Sequence, residues 1–487
     1  MNLRVTSVLL FAALAVNISA AANPQDELTI TLNSGTDVLT FDWPTISVGT
    51  AQYEAGPTGV TVIRFAEKSL VAMDVRGGGP GTINAPYVEL GYDMKELDTI
   101  TLTGGSWYGL EAVTGVASAL KDDGVRDGDA FAYPSTFAMS LGSVVFDFGN
   151  RRLNEIYPDK RLGQAAYRSA KPGRFAQGAH GGGRSTVTGS LFGCHAKSGQ
   201  GAAFREYGEV KIAAFTVVNA LGVIVDRDGR VVACQAKDEW PDDLTATDLM
   251  SNLPAIRDDD WGDDQSAPES RNTTISVVVT NQPLSPQELK RLAVQVQSSI
   301  PRAIQPYSTA FDGDVLYAVT TAELTEQKIT PIDLGVLAGE VMWDAILNSV
   351  PEQPELPLPV AGKISGVQKW SKVVGKYRFS DQVSVEIVQS DHGLAAKALG
   401  DRSAFAISNE EFVPLISAQN EQYIVDARHP TVLAFRSGDL ILNPGRWQQV
   451  GTKADSHLSR GKSGRNSQGR TGAQNATNTN EISNTVV

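Results

Sequence analysis

Histidine and cysteine are both scarce in this chain of 487 residues, and each shortage removes a class of chemistry. The five histidines, His180, His195, His392, His429 and His457, are scattered, with no H-E-x-x-H motif and no Cys/His group at zinc spacing. Neither a metal site nor a cofactor is expected. Two cysteines, Cys194 and Cys234, cannot staple a chain this long, although in an oxidising compartment they could pair. Basic residues are in deficit: 42 Lys and Arg against 55 Asp and Glu leave a formal charge of −13, which repels a phosphate backbone and argues against nucleic acid as a partner. The apolar run Val8–Val16 is too short to cross a bilayer, and no later stretch could span one. No G-x-S-x-G elbow occurs, and the tetrad Ser118-Ala-Leu-Lys121 lies late in a helical segment with no K-T-G strand to complete it.

What is present begins with an export signal. Arg4 precedes the apolar run, and the small residues Ser19, Ala20, Ala21 and Ala22 follow it, as a signal peptidase requires. Residues 1–21 are therefore expected to be removed, leaving a secreted or periplasmic protein. At about 150 residues per domain the chain has room for about three units. Short runs of period two, Leu28–Leu32, Val60–Arg64 and Asp98–Leu102, alternate with glycine turns and read as strands. Arg76-Gly-Gly-Gly-Pro-Gly81 ends one strand, and Gly104-Gly-Ser-Trp-Tyr-Gly109 leads into a helix over Leu110–Leu120. Strand returns at Lys211–Val218, Gly222–Val225 and Val231–Ala233, whereas the acidic stretch from Pro241 to Arg271 reads as a solvated loop.

Thr274–Thr280 reads as a buried strand, and Ser285-Pro-Gln-Glu288 is a capping box with proline at the first helical position. The stripe Leu289, Leu292, Val296 and Ile300 gives the helix that follows a core-facing side. A further helix is expected over Ile332–Val350, closing a main folded unit of residues 22–350. Pro351, Pro354, Pro357 and Pro359 then force an extended linker over 351–366. Short strand-like runs over 367–451 mark a small all-β domain, and 452–487 has too few apolar residues to order itself.

The chemistry centres on Arg271-Asn-Thr-Thr-Ile-Ser-Val-Val-Val279, where the acidic loop runs straight into a buried strand with a hydroxyl residue at the junction. Cleavage before Thr273 would give that threonine a free α-amine, whose ordinary pKa of about 8 suits it as base for its own hydroxyl. No histidine is then needed. From local composition alone an ordinary strand start, where threonine is common, is the more frequent meaning.

Across roughly residues 55–350 the chain resembles the family of L-aminopeptidase/D-esterases, β-peptidyl aminopeptidases and nylon-oligomer hydrolases. The matching stretches are Gly59–Ile63, Asp74–Gly81, Leu102–Gly109, Val218-Asn219, Asn272-Thr273 and Phe311–Asp314, in that order and at matching spacing. The resemblance implies an α+β fold, an αββα sandwich, with autocleavage into two chains that stay together and assemble into homo-oligomers. It places scission between Asn272 and Thr273, makes Thr273 the nucleophile and makes Asp312 and Asp314 the pair that orients it. Either carboxylate can accept from the threonine's ammonium or hydroxyl and shift the amine's pKa. Asn219 falls on the family's asparagine at a strand end, where a side-chain amide can donate to an oxyanion.

The family's lysine downstream of a glycine-rich loop has no match in Gly181–Ser190, and the nearest candidate, Lys197, is assigned a supporting role. Trp107, Tyr108 and Tyr133 are candidates for the pocket wall. Through Val374-Gly-Lys-Tyr377 the C-terminal module resembles the small β-domain appended to some serine β-lactamase-like hydrolases. The implied activity is a secreted, self-cleaving threonine hydrolase of amide bonds in short peptides or amino-acyl amides. The alternatives are an acyltransferase, since ornithine acetyltransferases also self-cleave before threonine, and a non-catalytic envelope binding protein on the same fold.

Overall fold

The computed structural model describes residues 24–90, 95–123, 138–148, 151, 153–194, 196–234, 241, 243–251, 253, 272–353, 370–380, 383–390, 393–400, 407–417, 422–426, 429–444 and 448–454. The expected signal, Tyr133, the cluster Asp258–Asp264, most of the proline linker and the tail fall outside these residues.

Alternating side chains build the main unit in four layers. In chain order its principal elements are β1 (Ile46–Tyr53), β2 (Thr58–Val75), β3 (Glu96–Thr103), α1 (Ser106–Asp122), β4 (Ser140–Val144), α2 (Lys160–Arg168), β5 (Val187–Thr188), β6 (Ala196–Lys197), β7 (Gln200–Tyr207), β8 (Val210–Asn219), α3 (Ala246–Ser251), β9 (Thr273–Thr280), α4 (Pro286–Ser299), β10 (Val315–Thr320) and α5 (Pro331–Leu347). The 18 residues of β2 serve two layers. Its first half pairs with β1, Ile46 opposite Phe65 through Tyr53 opposite Thr58. Its second half pairs with β10, Val315 opposite Val75 through Thr320 opposite Leu70. A register shift against β3 between Arg64 and Ser69 marks the change of layer.

Ile63, Phe65, Val71 and Met73 of β2 point inward, and with Ile46, Val48, Ile100, Leu102, Phe215, Val217, Ile275, Val277, Tyr317 and Val319 they fill the space between the two layers of strands. The opposite face of the first layer, with Val60, Val62, Ala51 and Tyr53, packs on α1 and α2 through Ala112, Val116, Leu162 and Ala166. The opposite face of the second, with Ile212, Ala214, Val278, Leu316 and Ala318, packs on Leu292, Val296, Ala338, Val341 and Met342 of α4 and α5. The order is helix, strand, strand, helix, as the resemblance implied. The Ser285 capping box is present in both its hydrogen bonds.

Some readings change. Leu28–Leu32 contributes only a two-residue strand, Thr31–Leu32. The acidic stretch after Pro241 is not all loop: α3 lies within it, and Leu244, Ala246 and Leu249 bury against Phe192, Cys194, Val223 and Val225. Cys194 and Cys234 form a disulfide at the edge of this small cluster. The nine residues of α2, started by the Asp159 side chain accepting from Leu162 N, were too few to show a helical period.

The C-terminal module is all-β. Nine antiparallel strands run in one sheet whose two end strands, Val413–Pro414 and Ile416–Ser417, are consecutive in the chain, so the sheet wraps into a barrel-like form. Tyr377, Val385, Ile387, Leu394, Leu433, Leu440 and Leu442 fill it. Gln449 Nε2 of this module donates to Glu155 Oε1 of the main unit at 3.2 Å. No helix among the described residues is long and apolar enough to cross a membrane.

Candidate active site

Parallel pairing of β9 with β10 assembles the site. Ile275 lies opposite Val315, so the residues just before each strand run side by side: Asn272 bridges to Asp312, and Thr274 N donates to Asp314 Oδ1 at 2.7 Å. Gly313, between the two aspartates, is set against Thr273. A Cβ there would lie 2.7 Å from Thr273 Oγ1 and 2.9 Å from Gly79 O, which makes glycine the residue that fits. Its N–H donates to the Asn272 carbonyl oxygen at 2.9 Å. The Thr273 hydroxyl donates to the same oxygen at 2.5 Å. The carbonyl of the Asn272–Thr273 bond is thus held between a backbone donor and the side chain able to attack it.

The aspartates are buried and tied to the turn around them. Asp312 Oδ2 accepts from Thr309 N at 2.9 Å and from Thr309 Oγ1 at 2.7 Å. Asp314 Oδ2 accepts from Ser308 N at 3.0 Å. Burial raises the pKa of Asp312 despite the Thr309 bonds. Burial, and then the charge of Asp312, push Asp314 well above the usual carboxylate range. The pair therefore retains a proton at pH values where an exposed aspartate has lost its own. Nearby, burial and the charges of Asp314, Asp312 and Asp74 drive the Tyr307 phenol well up.

The loop after β2 continues alongside this turn through backbone alone. Arg76 N donates to Asp314 O at 3.0 Å, and Gly79 N to Asp312 O at 2.9 Å. A Cβ on Gly77 would come within 2.2 Å of Asp314 N, so the glycine run permits an approach that side chains would block. Beside it opens a cavity of about 340 Å³ lined by Gly78, Gly79, Pro80, Gly81, Ser106, Trp107, Val144, Phe146, Asn272, Thr273, Ala310 and Phe311. None of these lining residues carries a charge. Trp107 lines it while remaining 71% exposed, at the mouth. Tyr108 is exposed and is not among the lining residues; its ring meets Phe148 edge-on. Tyr133 lies outside the described residues.

Asn219 ends β8 opposite Thr273 and is buried. Its side chain is gripped on both sides: Oδ1 accepts from Val187 N at 3.1 Å, and Nδ2 donates to Phe146 O at 2.9 Å. Lys197 stands opposite Val187 in the β5–β6 pair, half-buried, with its backbone bonded at N and O to Gln353, and it does not line the cavity. Sequence reasoning did not find the Gly313 donor or the aromatic wall of Phe146 and Phe311. The signal for the donor was the single glycine between two aspartates.

The model of peptidase family S58 matches residues 37–354. A 6-aminohexanoate-oligomer endohydrolase from Paenarthrobacter ureafaciens is 40% identical over 330 residues, 65% of this chain and 87% of the relative. An uncharacterized aminopeptidase of Mycobacterium tuberculosis is 30% identical over 287 residues, 58% of this chain and 77% of the relative. Among solved structures, a Burkholderia sp. beta-aminopeptidase aligns with a TM-score of 0.46 at 20% identity, covering 66% of this chain and 89% of its own. With its family model matched over well more than half of the chain, the protein belongs to peptidase family S58 and is an amide hydrolase.

Proposed function

We propose that this is a secreted threonine hydrolase that first cuts its own Asn272–Thr273 bond and then hydrolyses amide bonds in short peptides or related amino-acyl amides. The observation that carries the reading is the contact of the Thr273 hydroxyl with a carbonyl that Gly313 N–H already polarises. In the first step Thr273 Oγ1 attacks the Asn272 carbonyl carbon, the C–N bond breaks and the nitrogen takes up the proton. Water then hydrolyses the Asn272 ester. The freed amine becomes the base for each later turnover, in which an acyl group passes to Thr273 and then to water.

Gly313 N–H serves the oxyanion in both stages, and Asn219 has a second amide hydrogen to add to it. Asp312 and Asp314 orient the new ammonium and hold its proton balance. Lys197 acts through Val187, whose N–H holds the Asn219 side chain. The two fragments stay together because β9, the first strand of the second, is paired over Ile212–Asn219 with β8 of the first. Homo-oligomers of these pairs are the family expectation. Beyond Thr273 the cavity wall includes Pro80, Trp107, Val144, Phe146 and Phe311, which suits an aliphatic amide segment, in keeping with the oligomer substrate named for the relative at 40% identity. Thr273→Ala should remain one polypeptide and be inactive, and Thr273→Ser should still be cut. An active, uncut Thr273→Ala chain would end the proposal.

A further inference from the structure

Asn272 shows how an acyl group lies against Thr273. It is the acyl residue of the bond that the threonine faces, and it is seated as a single strand residue on the turn that carries the aspartates. Its N–H donates to Phe311 O at 3.3 Å, and its carbonyl oxygen accepts from Gly313 N at 2.9 Å. The two bonds bracket Asp312 in a parallel bridge. The side chain is held as well: Asn272 Oδ1 accepts from Ser190 Oγ at 3.4 Å, and the residue is buried. Gly313 thus reads the carbonyl of an α-amino acid residue, Phe311 O its chain nitrogen and Ser190 its side chain.

A substrate's acyl group must take the same place. At the tetrahedral centre Thr273 Oγ1, the oxyanion on Gly313 N–H and the departing nitrogen beside the threonine amine are all fixed, which leaves the acyl chain the direction in which Asn272 now runs. Once the bond is cut, Asn272 and the substrate compete for one seat. An α-aminoacyl group carries its nitrogen on the carbon next to the carbonyl, so it makes the Phe311 bond while its carbonyl rests on Gly313. A simple aliphatic or ω-aminoacyl group has no N–H there; it fills the apolar cavity and uses Gly313, but leaves Phe311 O without that donor. The Asn272 nitrogen is acylated by Arg271, so the seat takes a residue within a chain. Ser190 stays when Asn272 gives way. It begins a 3-10 turn, Ser190–Phe192, between Gly189 and Gly193, both in the left-handed region. That turn rests on the chain after β8, Gly189 N donating to Gly222 O at 2.7 Å and Leu191 N to Leu221 O at 3.0 Å, and neither bond involves Asn272.

We propose that Phe311 O, Gly313 N–H and Ser190 Oγ form the acyl-side subsite of the mature hydrolase, which takes the residue whose carbonyl is attacked as an α-peptide unit with a short, hydrogen-bond-accepting side chain. The favoured substrates are peptides cut after asparagine, with Ser190 setting the side-chain preference and taking no part in bond making. This rests on the reading of self-cleavage and hydrolysis given above.

The test uses fully cut enzyme, checked by denaturing mass spectrometry, and compares kcat/KM for the p-nitroanilides of acetyl-asparagine, of acetyl-leucine, of hexanoic acid and of the depsi analogue of acetyl-asparagine, in which oxygen replaces the N–H. Acetyl-asparagine should exceed each of the others by about tenfold, the scale of one lost hydrogen bond. In Ser190→Ala the ratio of asparagine to leucine should fall to about one while the loss on the depsi compound persists, and Ser190→Thr, which keeps the hydroxyl, should restore the ratio. If the depsi, hexanoyl or leucine compound is hydrolysed as fast as acetyl-asparagine, or if Ser190→Ala keeps the asparagine preference, the inference is wrong and the hydrolase reading stands. If wild type stays whole, or if the cut enzyme hydrolyses none of these amides, the hydrolase reading fails and takes this inference with it. Should Ser190→Ala fail to mature, the depsi and leucine comparisons in wild type decide the matter.

Discussion

Gly313→Ala tests the geometry of the nucleophile with one carbon atom. Gly313 does not lie in the left-handed region, so alanine meets no backbone strain of that kind there. The added Cβ would sit 2.7 Å from Thr273 Oγ1, 2.9 Å from Gly79 O and 3.3 Å from Thr273 Cγ2. Contacts below about 3.0 Å do not persist, and about 3.4 Å is an ordinary separation, so the threonine or the turn must yield by about 0.3 to 0.7 Å. Misplacing a reacting group by about 1 Å can cost about a hundredfold. Self-cleavage should therefore slow by about tenfold, and further if the Gly313 N–H loses its aim at the Asn272 carbonyl. Overpacking of this kind costs about 1–3 kcal/mol, within the reserve of a domain this size, so the variant should fold. Circular dichroism would establish folding, and a quenched time course on denaturing gels would give the rate. A folded Gly313→Ala chain that cuts as fast as wild type would refute the contact between Gly313 and Thr273 on which the mechanism depends.

Three further outcomes follow from the same site and fold. Asp312→Asn or Asp314→Asn should lower turnover by at least about a hundredfold with the fold intact; full turnover in both would leave the Asp-Gly-Asp turn a purely structural feature. Because burial raises the Asp314 pKa, the folded Thr273→Ala chain binds a proton that the unfolded chain has released above about pH 4. Its stability should then fall with rising pH, by about 1.4 kcal/mol per pH unit per proton, until the folded carboxyl ionises; denaturant titrations across that range should show the slope, and Asp314→Asn should flatten it. A chain ending near Val360 should still fold and cut itself, since α5 already closes the main unit and the Gln449–Glu155 bond is one exposed contact; an insoluble or uncut product would show that the β-module belongs to the catalytic core.

Local chemistry decided which parts of this fold could be read from the sequence. The Ser285 capping box and the Leu289, Leu292, Val296 stripe announced α4, because a helix carries its cap and its period within one stretch of chain. β9 was visible as a β-branched run, Ile275 and Val277–Val279 among threonines and one serine, and all eight residues are buried, as expected of a strand covered on both faces. By contrast, β10 passed unnoticed, since Val315–Thr320 is short and its meaning lies in pairing with β9 and β2. The wrapping of β2 through two layers is likewise a tertiary fact that no periodicity contains. At the site, the loop-to-strand junction drew attention to Thr273, but its role and those of Asn272, Asp312 and Asp314 came through a family resemblance and not through spacing. Their juxtaposition depends on parallel register between strands some forty residues apart. The helix α3 was missed because an acidic composition masked the three apolar residues, Leu244, Ala246 and Leu249, that bury it.

The central claim is that Thr273 becomes a chain terminus, and denaturing mass spectrometry of the purified mature protein tests it directly. With residues 1–21 removed and scission after Asn272, the account predicts two masses of about 27 and about 23 kDa at the chain's mean residue mass, the smaller beginning with Thr273. Amide hydrolysis by a protein that gives a single intact mass, with Thr273 still internal, would contradict it.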